Sequence, residues 1–182
     1  MALLLPAAAA LTLAAFLTVV AVQQDLRIGA NDVPQQLAED GARALDAGES
    51  PAAVAGVSEV SIDSSLAPFT AVYNAKGTLV AYNGSLDGRP PAIPLGVLQA
   101  AQATGRDAVT WQPRKSVRVA VVVVPWQGGT IAAGRSLRVI ESRIDAIQLL
   151  VLIGWLVGLM ALVAVASIAA WLWPTNPRQA IG

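Results

Sequence analysis

Apolar and polar positions divide this 182-residue chain into three blocks. Leu3 to Val22 and Ile147 to Trp173 are apolar almost throughout, while the stretch between them mixes polar and apolar positions at changing periods. About twenty apolar residues cross a hydrocarbon core of roughly 30 Å as a helix, so the first block predicts one membrane span. The second block is longer and predicts a span that tilts or protrudes. Charge follows the same division. No side chain is charged from Met1 to Gln24 or from Ala146 to Pro177, and Asp25 to Asp145 holds 11 of the 12 Lys and Arg and all 12 Asp and Glu. The predicted organisation is a first span over 1–24, a central domain over 25–145, a second span over 146–173 and a short tail over 174–182.

Within the central block the period changes several times. Gln23 to Ala30 extends the first helix, and Gly29-Ala30-Asn31-Asp32 reads as a break. Asn31 or Asp32 then caps a helix with Pro34 in its first turn, where a missing N–H costs nothing. Leu37, Ala38, Gly41, Ala44 and Leu45 form its apolar face and Gly48 its stop. Ser50-Pro51 opens a short turn or helical piece over 51–55. Alternation then predicts strands over 57–62, 67–73 and 78–82, the last two joined by the turn Asn74-Ala75-Lys76-Gly77. The segment 83–94, with three prolines, reads as a loop leading into a helix over 95–104 that Gly105 ends. Three strands follow, over 108–112, 117–124 and 129–133. The valine-rich run Val117–Val124 reads as a central strand buried on both faces or packed against a helix. Beyond Gly134 a stripe of Leu137, Ile140, Ile144 and Ile147 predicts a helix running straight into the second span. Strands that follow one another rather than alternating with helices predict an antiparallel sheet and an α+β class.

Composition agrees with a membrane location. Hydrophobic residues make up 55% of the chain, mean hydropathy is +0.58, and charged residues reach only 13%, about half the usual share. Met1-Ala2 carries no positive charge and the first apolar run exceeds the roughly 7–15 residues of a signal-peptide core. Both points favour a retained span, although Val19 and Ala21 would suit a cleavage site. Arg178 places the tail weakly on the cytoplasmic side and the central domain outside the cytoplasm, and Trp171 and Trp173 fit an interfacial belt. Zero net charge without a basic cluster speaks against nucleic-acid binding. With no cysteine and no histidine, thiol catalysis, Ser-His catalysis and Cys- or His-based metal sites are excluded.

The element order and the hairpin FTAVYNAKGTLVAYNG, Phe69 to Gly84, give the chain a likeness to a known family. Over about Ala30 to Ile144 it resembles the extracytoplasmic PAS-like or single-Cache sensor domains of bacterial two-span receptors. The resemblance implies a five-stranded antiparallel sheet with an N-terminal helix behind it. It also implies a small, often anionic ligand between the sheet and the loop-helix segment, where Tyr73, Tyr82, Arg89, Trp111 and Arg118 are the matching residues. A guanidinium between aromatic walls suits a carboxylate, through bidentate hydrogen bonds in a partly apolar setting. The competing expectation makes Tyr73 and Trp111 half-buried sheet residues and leaves Arg89 and Arg118 solvated or paired with Asp87 or Asp107.

Other residues point less to chemistry than to packing. Asp63-Ser64-Ser65 reads as a turn rather than a nucleophile, no calcium-loop spacing occurs, and no enzyme or cofactor is expected. Gly154 and Gly158 form a GxxxG pair that allows close helix approach. Its expected partner is the first span of the same chain, a second copy, or another membrane protein within the bilayer. Glu141, Asp145, Arg138 and Arg143 are expected to support an exposed helix. Receptors of the resembling kind continue into a cytoplasmic output region, whereas nine residues follow Trp173. The expected roles are therefore a sensory or ligand-binding module that signals through a partner, or a non-catalytic accessory subunit of a larger membrane complex.

Overall fold

The computed structural model describes residues 4–172. Trp173, Arg178 and the tail expectation lie outside the described residues. The chain divides into two compact units, one comprising residues up to Gln24 together with those from Arg143, the other Asp25–Ser142.

Two helices dominate the first unit. Helix α1 spans Leu4–Gly29 and helix α5 spans Arg138–Leu172. Segments Leu5–Leu26 and Arg138–Leu172 are long and apolar enough to cross a membrane, with window hydropathies of 2.2 and 2.8 and no part of either window buried. A core helix of a soluble protein would be covered; these are not. Their partly covered positions recur every three or four residues, as in Leu11, Ala15 and Val19 of α1 and Val151, Trp155 and Leu162 of α5.

The second unit is a mixed α+β domain in three layers. Its sheet contains β2 (Phe69–Asn74), β3 (Leu79–Tyr82), β5 (Asp107–Arg114), β6 (Val117–Trp126) and β7 (Gly129–Ser136), in the order β3-β2-β7-β6-β5. Every pairing in it is antiparallel. Three hairpins supply part of this order, with β2–β3 closing at Asn74–Gly77, β5–β6 at Lys115-Ser116 and β6–β7 at Gln127-Gly128, and the long-range pairing of β2 with β7 joins the two groups. At the first, the Asn74 side chain accepts from the backbone N–H of Lys76 and of Thr78, both at 3.0 Å. Gly77 supplies the positive φ of 76° that this turn needs. Central β6 and β7 are buried on both faces between Val119 and Val123 and between Ile131 and Ala133, as the valine-rich run predicts.

Helix α2 (Asp32–Asp46) covers one face and helix α4 (Leu95–Thr104) the other. On the α2 face, Ala42, Leu45, Ala55, Val72, Ala81 and Ile131 form one core. Small side chains let the helix lie close to the strands. A Cβ added at Gly41 would meet the Ile131 side chain and sit 3.1 Å from Val54 Cγ1. On the α4 face, Phe69, Tyr73, Ile93, Leu98 and alternate valines of β6 form a larger core. Short α3 (Pro51–Ala55) is capped by Ser50, whose Oγ accepts from the Ala53 N–H at 3.2 Å.

The structure corrects three local expectations. The strand expected over 57–62 shrinks to β1 (Val60–Ser61), paired in parallel with β4 (Gly84–Ser85), which itself lies inside the expected loop 83–94. Gly56 turns with φ 82° just before it and Val57 is fully exposed, so no extended ladder forms there. The expected Asn31 cap is absent, because Asn31 is itself helical (φ −87°, ψ −15°) and its side chain makes no cap bond; α2 starts almost directly where α1 ends. Finally, β7 runs to Ser136, three residues past its predicted end, and delays the start of α5 to Arg138.

Candidate functional site

The five residues expected to converge on a ligand are distributed by the pleat of the sheet. Side chains alternate between faces along a strand, and directly paired residues share a face. Tyr73, with Phe69 and Ala71, points to the α4 side; Tyr82 pairs with Ala71 and Trp111 with Val119, so both share that side. Arg118 stands between Val117 and Val119, which belong to the α4-side core, and therefore points to the opposite, α2 side. The sheet itself thus separates Arg118 from the three aromatic residues. Arg89 is exposed in the turn after β4, where its backbone pairs with Leu86.

Tyr73 is a core residue, 4% exposed, and its hydroxyl donates to the Pro91 carbonyl at 2.9 Å. Burial pushes its pKa up to about 12, against an opposing pull from the Ile93 backbone. Trp111 is half-buried on edge strand β5 and packs on Phe69 with ring centroids 6.5 Å apart and an interplanar angle of 59°. Tyr82 is 46% exposed on edge strand β3. Arg118 Nη1 donates to Glu141 Oε1 at 2.6 Å, across from β6 to the first turn of α5. The expected partners Asp87 and Asp107 are therefore replaced by Glu141. The space between sheet and loop-helix segment is occupied by Tyr73, Ile93, Leu98 and Ala101, all packed in one core.

A different set of polar residues is brought together, and the sequence did not announce it. Arg114, at the end of β5, donates from Nη1 to both oxygens of Asp87 at 2.9 and 3.0 Å and from Nη2 to Asp63 Oδ2 at 3.1 Å. Asp63 also accepts from Ser61 Oγ at 2.6 Å. The Ser61 hydroxyl, helped by the Arg114 guanidinium and opposed by partial desolvation, holds the Asp63 carboxyl below the usual carboxylate range. The backbone of the same turn accepts from Arg138, with Nη2 to Ser64 O at 2.7 Å and Nη1 to Asp63 O at 3.4 Å. Asp63, Asp87, Arg114 and Arg138 lie 24 to 75 positions apart, and only the fold brings them side by side. Pro113, with the register shift between Trp111 and Arg114 beside it, was the one local sign that β5 ends by turning a side chain outward.

Within the first unit, Gly158 packs against Leu11 of α1, where an added Cβ would lie 2.8 Å from Leu11 Cδ2, whereas Gly154 meets nothing within 4 Å. Trp155 Nε1 donates to Thr12 Oγ1 at 3.0 Å. Two apolar grooves of about 270 and 430 Å³ lie between these helices. The GxxxG pair is thus split: Gly158 serves packing inside the chain and Gly154 stays open. Among the described residues no group of three or more Asp or Glu side chains is placed to hold a metal ion. Compared with protein families, curated proteins and solved structures, the chain finds no match.

Proposed function

We propose that the chain is a two-span membrane protein that presents its α+β domain outside the cytoplasm as a sensory or small-ligand-binding module, PAS-like in build, and signals through a partner protein. The observation that carries this reading is the insertion of a separately folded five-stranded domain between two helices long and apolar enough to cross a membrane. The helix that leaves the domain supports it further, because α5 is unbroken from Arg138 to Leu172. The polar groups of the domain, arginine-carboxylate pairs, the hydroxyl-carboxylate pairs Ser61–Asp63 and Ser85–Glu59 and a buried tyrosine, suit recognition of a polar ligand. Thermal unfolding of the full chain in detergent micelles against a panel of small organic acids tests this. A saturable rise in midpoint is expected with at least one acid, and no rise with any of them defeats the binding claim.

One observation favours a second reading, a non-catalytic accessory subunit. The layer between sheet and loop-helix segment is filled by the protein's own side chains, Tyr73 and Leu98 among them. A scaffold needs no cavity there. Purification in mild detergent separates the two readings. A stoichiometric membrane partner retained on dilution favours the subunit, and a ligand-responsive monomer or self-dimer favours the sensor. Gly154→Leu sharpens the outcome, since that position is open on α5 and a bulky side chain there blocks a partner helix while sparing the Gly158–Leu11 contact.

A further inference from the structure

We infer that Asp63, Asp87, Arg114 and Arg138 form an ionic latch that couples the turn after β4 to the first turn of α5. The bonds form a continuous series. Asp87 holds Arg114 through both carboxylate oxygens, Arg114 holds the Asp63 carboxylate, and the Asp63–Ser64 backbone holds Arg138. Asp63 is the pivot, since its side chain faces β5 and its carbonyl faces α5. A second tie fixes the same turn of α5 from the other side. Arg118 bonds Glu141, and the Leu137 N–H donates to the Arg118 carbonyl at 2.9 Å. The start of α5 is therefore gripped from the turn and from β6, and only the turn side leads on to the loop around Asp87.

Strength and exposure suit a switch more than a brace. Side-chain exposures in the Arg114 pairs run from 33% to 62%, so water and salt reach every member. Exposed pairs of this kind contribute little stability and are easily exchanged for water or another ion. Two properties still make the series directional. The Arg114 guanidinium bridges two carboxylates, Nη1 shared by both oxygens of Asp87 and Nη2 on Asp63, so its rigid plane links the two ends. The 61–65 turn is short and closed by its own backbone bonds, Ser64 and Ser65 N–H to the Ser61 carbonyl, so it moves as a unit when its Asp63 anchor is released. Asp87 stands at the other end with φ 53°, a left-handed conformation that is sparsely populated for a non-glycine residue. Losing the Arg114 contact frees that residue to relax, and with it the turn that carries Arg89.

The inference concerns coupling inside the domain and stands whether the domain senses a ligand or scaffolds a complex. Its test is amide hydrogen exchange on the full chain in detergent micelles, read on peptides covering 84–91, 137–142 and the core strands, for wild type, Asp87→Asn, Arg114→Gln and Lys115→Gln. Asp87→Asn and Arg114→Gln should raise exchange at 137–142 by roughly 2- to 30-fold, the range that coupling through a contiguous network reaches, with β6 and β7 unchanged. Lys115→Gln, an exposed neighbour outside the series, should match wild type. Faster exchange confined to 84–91 overturns the latch. So does a uniform rise over the whole domain, which signals lost stability rather than coupling. Failure of the acid panel with this pattern intact removes the sensory reading and leaves the latch in place.

Discussion

The two faces of the central sheet are built from different materials. On the α2 face, Gly41, Ala42, Ala55 and Ala81 let backbone approach backbone, with Leu45, Val72 and Ile131 between them and Trp126 at the margin. On the α4 face, Phe69, Tyr73 and Trp111 fill a deeper layer under a loop that contains three prolines. Small residues leave nothing to rearrange, so the α2 face acts as a fixed back. The aromatic face carries a buried hydroxyl, a half-exposed indole and a loop held at its far end by ion pairs. If the domain responds to anything, the α4 face is where the response is read.

Phe69 offers the most severe way to break this contrast. Its ring is 1% exposed, packs on Trp111 and fills the space above Gly84 and Gly134. Phe69→Ala should lower stability by about 3–5 kcal/mol, since two neighbouring glycines supply no side chain to collapse into the cavity. The denaturant midpoint of the full chain in micelles measures it. A loss of the size of a surface substitution would mean that the α4 face is loosely packed and the contrast false.

How much of this was legible beforehand depends on whether a feature is local. The two long apolar helices, the Asn74–Gly77 turn and the valine-rich central strand are written in consecutive residues, and all three appear as read. The face that Arg118 occupies has a non-local origin. Its parity with Val117 and Val119 was visible, but the face shared with Tyr73 depends on strand register, set by hairpins far apart in the chain. The Arg114 series lies further still from local pattern, because Asp63 and Arg114 are 51 positions apart and nothing in either neighbourhood names the other. Strand 57–62 failed in the opposite way: local alternation suggested a ladder, but the fold gave it a partner only two residues long.

Tyr73 sharpens the contrast through pH. Its folded pKa is raised from 10 to about 12 by burial, so the folded state holds that proton more tightly than the unfolded chain. The associated stability is fully present below pH 10 and is lost as pH rises toward 12. A shift of this size corresponds to about 2–3 kcal/mol. Tyr73→Phe removes this alkaline loss. At neutral pH it costs about 0.5–1.5 kcal/mol, because the Pro91 carbonyl loses its donor. Unfolding midpoints at pH 8, 10 and 11 for both proteins give the answer, and parallel curves would place Tyr73 in contact with solvent.

The fixed back is tested at Gly41. A leucine there must displace Ile131 and Val54, both held in the α2-side core, and should destabilise by about 1–3 kcal/mol. The location of the effect matters more than its size. Exchange should rise in α2 and β7 and stay unchanged at 84–91, because the sheet lies between the two layers. A rise at 84–91 would show that the faces communicate and that the back is not fixed.

The smallest expected effect is the most discriminating. Arg118→Gln breaks one exposed pair with Glu141 and should change stability by less than about 1 kcal/mol. The resemblance to sensor domains implies a direct part for Arg118 in holding a carboxylate beside Tyr73 and Trp111. The pleat puts it on the other side of the sheet, 44% exposed and already bonded to α5. Any midpoint rise that an organic acid produces should therefore survive Arg118→Gln with unchanged half-saturation. If the substitution abolishes that rise while the unliganded midpoint stays put, the acid binds on the α2 side against the first turn of α5. The division between a fixed back and a responsive front would then have to be reversed.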